Sequence, residues 1–138
     1  MIKPFNKRKI INDPVHGFIT IPDEFTFDLI GHTYFQRLRR IKQLGLTGLV
    51  YPGAVHTRFH HALGAMHLMM LAIDTLKIKE IEITEKEALA AYNAILLHDI
   101  GHGPFSHALE HCIVHNVNHE DLTLLFMNNM NNEFDGKL

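Results

Sequence analysis

The spacing of apolar and polar residues changes several times along the chain, and each change marks an element. Residues 10–21, IINDPVHGFITI, are two apolar runs around NDPVHG, whose Asn, Asp, Pro and Gly favour reversal, so a small β-hairpin is predicted. Pro22 and Asp23 then open a helix, DEFTFDLIG. Thr33 is placed to cap a second helix, YFQRLRRIKQL. On it Tyr34, Leu38, Ile41 and Leu44 recur at helical spacing while Arg37, Arg40 and Lys42 lie off the stripe. Residues 45–56, GLTGLVYPGAVH, hold three glycines and a proline and predict a loop. Thr57 begins a long helix to about Leu76. Thr84 and Glu87 form a capping-box pair at the start of EKEALAAYNAILLHD. Gly101 and Gly103 end that helix. Pro104 suits the start of the next, FSHALEHCIV, and Asn118 can cap a last one, HEDLTLLFMNNM. The tail NNEFDGKL, residues 131–138, is polar and expected to fray. The expected fold is an all-α helical bundle of five or six helices with one small N-terminal β-hairpin, a single domain over residues 1–138. The chain stops just after a helix, with no terminal element to close the core, so the bundle is read as incomplete at its C-terminus.

Composition changes this picture little. With 138 residues the chain can bury a real core. No apolar run approaches the roughly 18 residues that a membrane span needs. The basic N-terminus, MIKPFNKRKI, lacks the apolar region and cleavage site of a signal peptide, so a cytoplasmic protein without membrane contact is expected. The single cysteine, Cys112, excludes an internal disulfide framework, and beside Ile113 and Val114 it reads as a small buried hydrophobe. A net charge of −2 argues against nucleic acid as the main partner. The charge is nevertheless split. Residues 1–69 carry nine Lys/Arg against four Asp/Glu, and residues 70–138 carry four against eleven, so the first half is the better match for an anionic ligand.

Histidine departs from ordinary usage. Of twelve, four lie within residues 56–67 and six within residues 98–119. Neutral imidazole and carboxylate together are ligands for borderline divalent metals. His98 and Asp99 stand side by side at a helix end. A third ligand must come from elsewhere, and RFHH at 58–61 is the obvious supply, because two antiparallel helices in contact bring His61 near His98. Asp99 at a helix C-terminus opposes the macrodipole, and its burial beside Leu96 and Leu97 is costly without a compensating positive charge. A metal ion supplies one; the residues alone leave ordinary core histidines open as well. His67 is read as a packed core residue, His111 and His115 as solvated, and His16 and His32 as ordinary.

The segment R-F-x-H at 58–61, H-D-x-G-H-G-P-F-S-H at 98–107 and His119-Glu120 a dozen residues on resemble the HD-domain phosphohydrolase superfamily, in particular its deoxynucleoside triphosphate triphosphohydrolase branch. NDPVHG, FQRLRRIKQLG, VYPGAVHTRFHHALG and LLHDIGHGPFSH fit it in order, from about Ile10 to Glu120. The resemblance implies the N-terminal part of an HD-domain bundle and a metal-dependent enzyme that splits a deoxynucleoside triphosphate into deoxynucleoside and triphosphate. The alternatives are a nucleoside monophosphate or cyclic-nucleotide phosphodiesterase, or a non-catalytic module binding nucleotide or partner. It implies His61, His98 and Asp99 as metal ligands for a divalent ion among Mn, Fe, Zn, Ni and Mg. His102, His107 and His119 would handle protons and contact phosphate, with Glu110 orienting His107 from one helical turn away. Arg58 would clamp phosphate oxygens, and Gln43 would read the sugar. A homo-oligomer is suggested. Phosphate hydrolysis needs neutralised oxygens, a nucleophilic water and a proton for the leaving oxygen, and histidines titrating near neutrality suit the last. In the family a further aspartate far downstream completes the ligand set; Asp121 and Asp135 lie in no matching context, in keeping with an incomplete chain. Gly31 stands where a guanine-reading acid is expected, and His60 where an acid is common. Arg37 and Arg39 resemble a region that binds regulatory nucleotides in some members, and are read here as a solvated face.

Overall fold

The structure, a computed structural model, describes residues 9–105 and 118–138. Strands β1 (Ile10–Asp13) and β2 (Gly17–Thr20) pair antiparallel with Ile11 opposite Ile19. The turn is local chemistry: the Asp13 carboxylate accepts the N–H groups of Val15 and His16 at 2.8 and 2.9 Å, and Gly17 takes φ of 71°. Helix α1 (Glu24–Gly31) starts on Asp23, whose carboxylate accepts the Thr26 N–H at 2.6 Å.

The predicted helix YFQRLRRIKQL forms only in part. α2 (Thr33–Gln36) is capped by His32, not Thr33, and tightens into a 3-10 turn, Arg37–Arg40, after which Ile41 is extended. Tertiary contacts decide this: the Ile41 carbonyl accepts the Arg58 N–H at 2.8 Å and Lys42 bridges Thr57, so the segment satisfies a donor that a helix start leaves open. Leu38 and Ile41 are buried there. The expected loop that follows contains a further 3-10 turn, Gly45–Leu49.

Helix α3 (Arg58–Ile78) begins with a capping box in which His60 Nδ1, 3.3 Å from the Thr57 N–H, does what Glu or Gln usually does. α4 (Glu85–Leu97) begins with the predicted Thr84–Glu87 box. α5 (His119–Glu133) begins with Asn118 accepting the Asp121 N–H at 2.7 Å. The helix predicted over FSHALEHCIV lies outside the described residues from 106 onward, and with it His107, Glu110, His111, Cys112 and His115.

The polar tail does not fray. α5 runs on to Glu133, and Asp135 and Gly136 turn left-handed, so that the Gly136 N–H reaches the Asn131 carbonyl at 2.8 Å. Phe134, edge-on to Phe25 with ring centroids 5.4 Å apart, and Leu138 give the tail apolar surface to bury.

The core lies between α3 and α4. Phe59, Ala62, Leu63, Met66 and Ile73 of α3 meet Ala88, Tyr92, Leu96 and Leu97 of α4, with Ile19, Leu29, Phe35 and Leu38 closing over them. Each fully buried Leu or Phe contributes roughly 1.5–3 kcal/mol, which fixes the two helices against each other. The fold is all-α with a small hairpin, as the pattern predicts. No described helix is long and apolar enough to cross a membrane.

Candidate metal centre

The first turn of α3 meets the end of α4, so the pair runs antiparallel and brings His61 to His98, with ring centroids 5.3 Å apart. One ligand atom from each of His61, His98 and Asp99 lies within 4.8 Å of the others. The two imidazoles are 39% and 35% exposed while the carboxylate is 13% exposed, so the cluster opens to solvent on its histidine side.

The tautomer of His98 follows from its surroundings. Its Nδ1 lies 2.6 Å from the Ile95 carbonyl, which can only accept, so Nδ1 carries the proton and the Nε2 lone pair faces the cluster. Metal-binding histidines are oriented by the same kind of bond. The Nε2 atoms of His98 and His61 lie 3.4 and 3.7 Å from the Asp99 oxygens. Burial pushes the His61 pKa down and Asp99 opposes it, with a net lowering that favours the neutral, ligating ring. Two imidazoles and a carboxylate, partly open to solvent, make a donor set that fits a divalent ion with positions left for other ligands.

Asp99 needs compensation, because α4 has no basic residue in its last turn. Arg58 provides it. This residue is 3% exposed, not a surface cation, and its Nη1 donates to Asp99 Oδ2 at 2.5 Å. Burial pushes the Asp99 carboxyl up, but the hydrogen bond from His102 and the positive charge of Arg58 outweigh it, leaving the pKa well below the usual carboxylate range. His102 is itself buried, 3.4 Å from Asp99 Oδ1; burial lowers its pKa and the bond to Asp99 offsets part of that. The ring of His119 stacks on that of His102, centroids 4.0 Å apart and planes 15° off parallel.

Gln43 lies in the turn that follows Lys42, beside the start of α3. Its N–H donates to the His56 carbonyl at 3.0 Å, and its Oε1 is buried with no hydrogen-bond partner among the described residues. His107 and Glu110 lie outside those residues. His56, His60 and His61 line a cleft of about 540 Å³ with Asp13 and His16, while His67 packs its ring against His16.

One of the two arginines expected on a solvated face lies elsewhere, while Arg39 is exposed as expected. Arg37 is not on a solvated face: it donates to the His102 carbonyl at 2.8 Å and to the Ile100 carbonyl, and lies over the Phe126 ring. Arg39 stacks 3.7 Å over Phe59 and donates to Gln36. The cause is the turn after α4, whose carbonyls have no helical partner. The missing cation in the last turn of α4 was the sequence signal that one must come from elsewhere.

The HD domain family profile matches residues 58–132. The chain is 44% identical over 127 residues to the deoxynucleoside triphosphate triphosphohydrolase SAMHD1 homolog of Dictyostelium discoideum, covering 87% of this chain and 24% of that protein. It is 45% identical over 104 residues to human deoxynucleoside triphosphate triphosphohydrolase SAMHD1, covering 74% and 16%. Among solved structures, a phosphohydrolase from Bacteroides thetaiotaomicron superposes with a TM-score of 0.91 at 57% identity, over 94% of this chain and 32% of that one. The chain belongs to the HD-domain phosphohydrolase superfamily. Domains of this family bind divalent metals, and the His61, His98 and Asp99 cluster supplies the matching donors. The chain spans a third or less of the length of these relatives.

Proposed function

We propose that this chain holds a divalent ion on His61, His98 and Asp99 and hydrolyses a nucleotide, the substrate being a deoxynucleoside triphosphate cleaved to deoxynucleoside and triphosphate. The observation that carries the reading is the convergence of the three ligand atoms within 4.8 Å, with Arg58, His102 and His119 gathered at the same place. Two relatives named as deoxynucleoside triphosphate triphosphohydrolases support the substrate.

An ion bound there, drawn from Mn, Fe, Zn, Ni or Mg, supplies Lewis acidity to phosphoryl oxygens. The chain's own residues do the rest. Arg58 keeps Asp99 ionised and adds positive charge at the site. In the overall reaction the oxygen of water bonds to the α-phosphorus, the bond to the sugar oxygen breaks, and that oxygen takes up a proton. His102, with a lowered pKa, is neutral near pH 7 and can accept a proton; His119 and His107 complete the proton-handling set, with Glu110 orienting His107. Gln43 reads the sugar.

The test is elemental analysis of the dialysed protein together with product analysis. About one ion per chain, lost in His61→Ala, with triphosphate released from a deoxynucleoside triphosphate, is the expected result. Unchanged turnover in the His98→Ala/Asp99→Ala variant would sink the assignment. Orthophosphate as the only product would move it to a monophosphate phosphohydrolase, and nucleotide binding without turnover in added Mn or Fe would leave a binding module.

A further inference from the structure

We infer that Thr123 is a positioning residue: its hydroxyl ties α5 to the turn after α4 and thereby fixes the His119 ring against His102. The functional consequence rests on the hydrolysis proposed above. Thr123 is buried, and its Oγ1 accepts the Gly101 N–H at 3.0 Å. The same oxygen lies 2.9 Å from the His119 carbonyl and 3.4 Å from the His98 carbonyl. A hydroxyl has one proton and two lone pairs, so the proton goes to the nearer carbonyl, that of His119, while a lone pair takes the Gly101 hydrogen.

The bond to His119 is the ordinary back-bond of a helical threonine and by itself says nothing about function. The bond to Gly101 is different. It crosses between two elements 22 residues apart in sequence and lands one residue before His102. One buried atom thus touches the backbone of His98, Gly101 and His119.

Gly101 shows how close the approach is. A Cβ there would lie 2.5 Å from Thr123 Oγ1 and would run into the Thr123 nitrogen and the His119 carbonyl, so the α5 backbone occupies the space of a side chain. Among the residues of α5, Thr123 and Met130 are the buried ones, and Met130 lies two turns further along. Thr123 therefore anchors the end that carries His119.

The test compares Thr123→Val, which keeps the shape and loses the hydroxyl, with Thr123→Ser, which keeps the hydroxyl. The Val variant should retain its metal, change KM little and lose about 10- to 100-fold in kcat, the scale of a misplaced catalytic group. The Ser variant should stay within about threefold of the parent. In a His119→Gln background the Val substitution should cost almost nothing more, since the ring that it places is gone. An equal loss in both backgrounds, or parental kcat in the Val variant, overturns the inference.

A second readout needs no turnover. In metal-free protein the stacked rings shift each other's proton resonances upfield. Thr123→Val should move the His102 and His119 ring signals and leave those of His67 in place; unmoved signals overturn the inference. Should the Val variant not fold, Thr123→Ala removes the same hydroxyl and is read in the same way. If the parent protein turns over no nucleotide, the proposed hydrolysis falls while the ring signals still decide the placement.

Discussion

Arg58→Met removes the buried cation that faces Asp99 while keeping most of the long apolar stem. The guanidinium is 2.5 Å from the carboxylate, with side-chain exposures of 4% and 13%, so solvent screens the pair weakly. Deleting one member of a buried pair leaves the other charge uncompensated, at about 3–5 kcal/mol. His102 remains 3.4 Å from the same carboxylate and can donate to it, which places the loss at the lower end, about 3 kcal/mol. For a chain of 138 residues this is a fall in Tm of roughly 10 °C. The assay is thermal unfolding followed by circular dichroism at neutral pH, first in chelator and then with divalent metal. Arg58 also repels an incoming cation, so its removal should strengthen metal binding, and by linkage metal should raise the Tm of the variant more than that of the parent. A variant that melts within about 2 °C of the parent in chelator, or a metal-induced rise equal in both, would refute this account of Asp99.

Gly101→Ala forces a Cβ into the α5 backbone and should cost about 1–3 kcal/mol, read as a lower urea midpoint; an unshifted midpoint would show that α5 can move away freely. Asn118→Ala removes the acceptor for the Asp121 N–H and should cost about 1 kcal/mol at unchanged urea slope. Acidification should destabilise the metal-free protein. The pKa values of His61, His102 and Asp99 are all lowered by folding, so the unfolded chain binds more protons, and stability is lost as pH falls below the unfolded values, about 6.5 for the histidines and about 3.9 for the aspartate. Tm measured from pH 8 to pH 4 should decline from about 6.5 downward, less steeply in His102→Gln; a rise in Tm between pH 7 and pH 5.5 would contradict the sign.

The helix starts were legible because caps are local chemistry: Asp23, Thr84 with Glu87, and Asn118 bond to N–H groups three residues away. The YFQRLRRIKQL stripe misled because Leu38 and Ile41 can be buried equally well by a helix or by a turn followed by an extended residue. The choice was made by the Arg58 N–H, which lies far along the sequence. The tail misled because two apolar residues, Phe134 and Leu138, were hidden among polar ones. In the site, His61, His98 and Asp99 could be placed together from helix ends alone. Arg37 could not be told from a surface cation, since its burial depends on which carbonyls the fold brings to it. Thr123 carries no mark in the sequence at all; only the approach of Gly101 distinguishes it.

The three ligands belong to a single helical hairpin, α3 and α4 joined by residues 79–84, whereas His119 arrives on α5. Under the proposed function, the ion and the His102 ring are held on the α3–α4 side while the His119 ring comes from α5. If α5 lifts away in a local opening, the hairpin keeps its grip on an ion while the stacked imidazole pair is lost. Amide exchange should report the division directly: metal should protect the amides around Leu63 and Leu96 strongly and those along α5 much less. Under the proposed function, an ion held by the hairpin would not suffice for turnover without α5 in place.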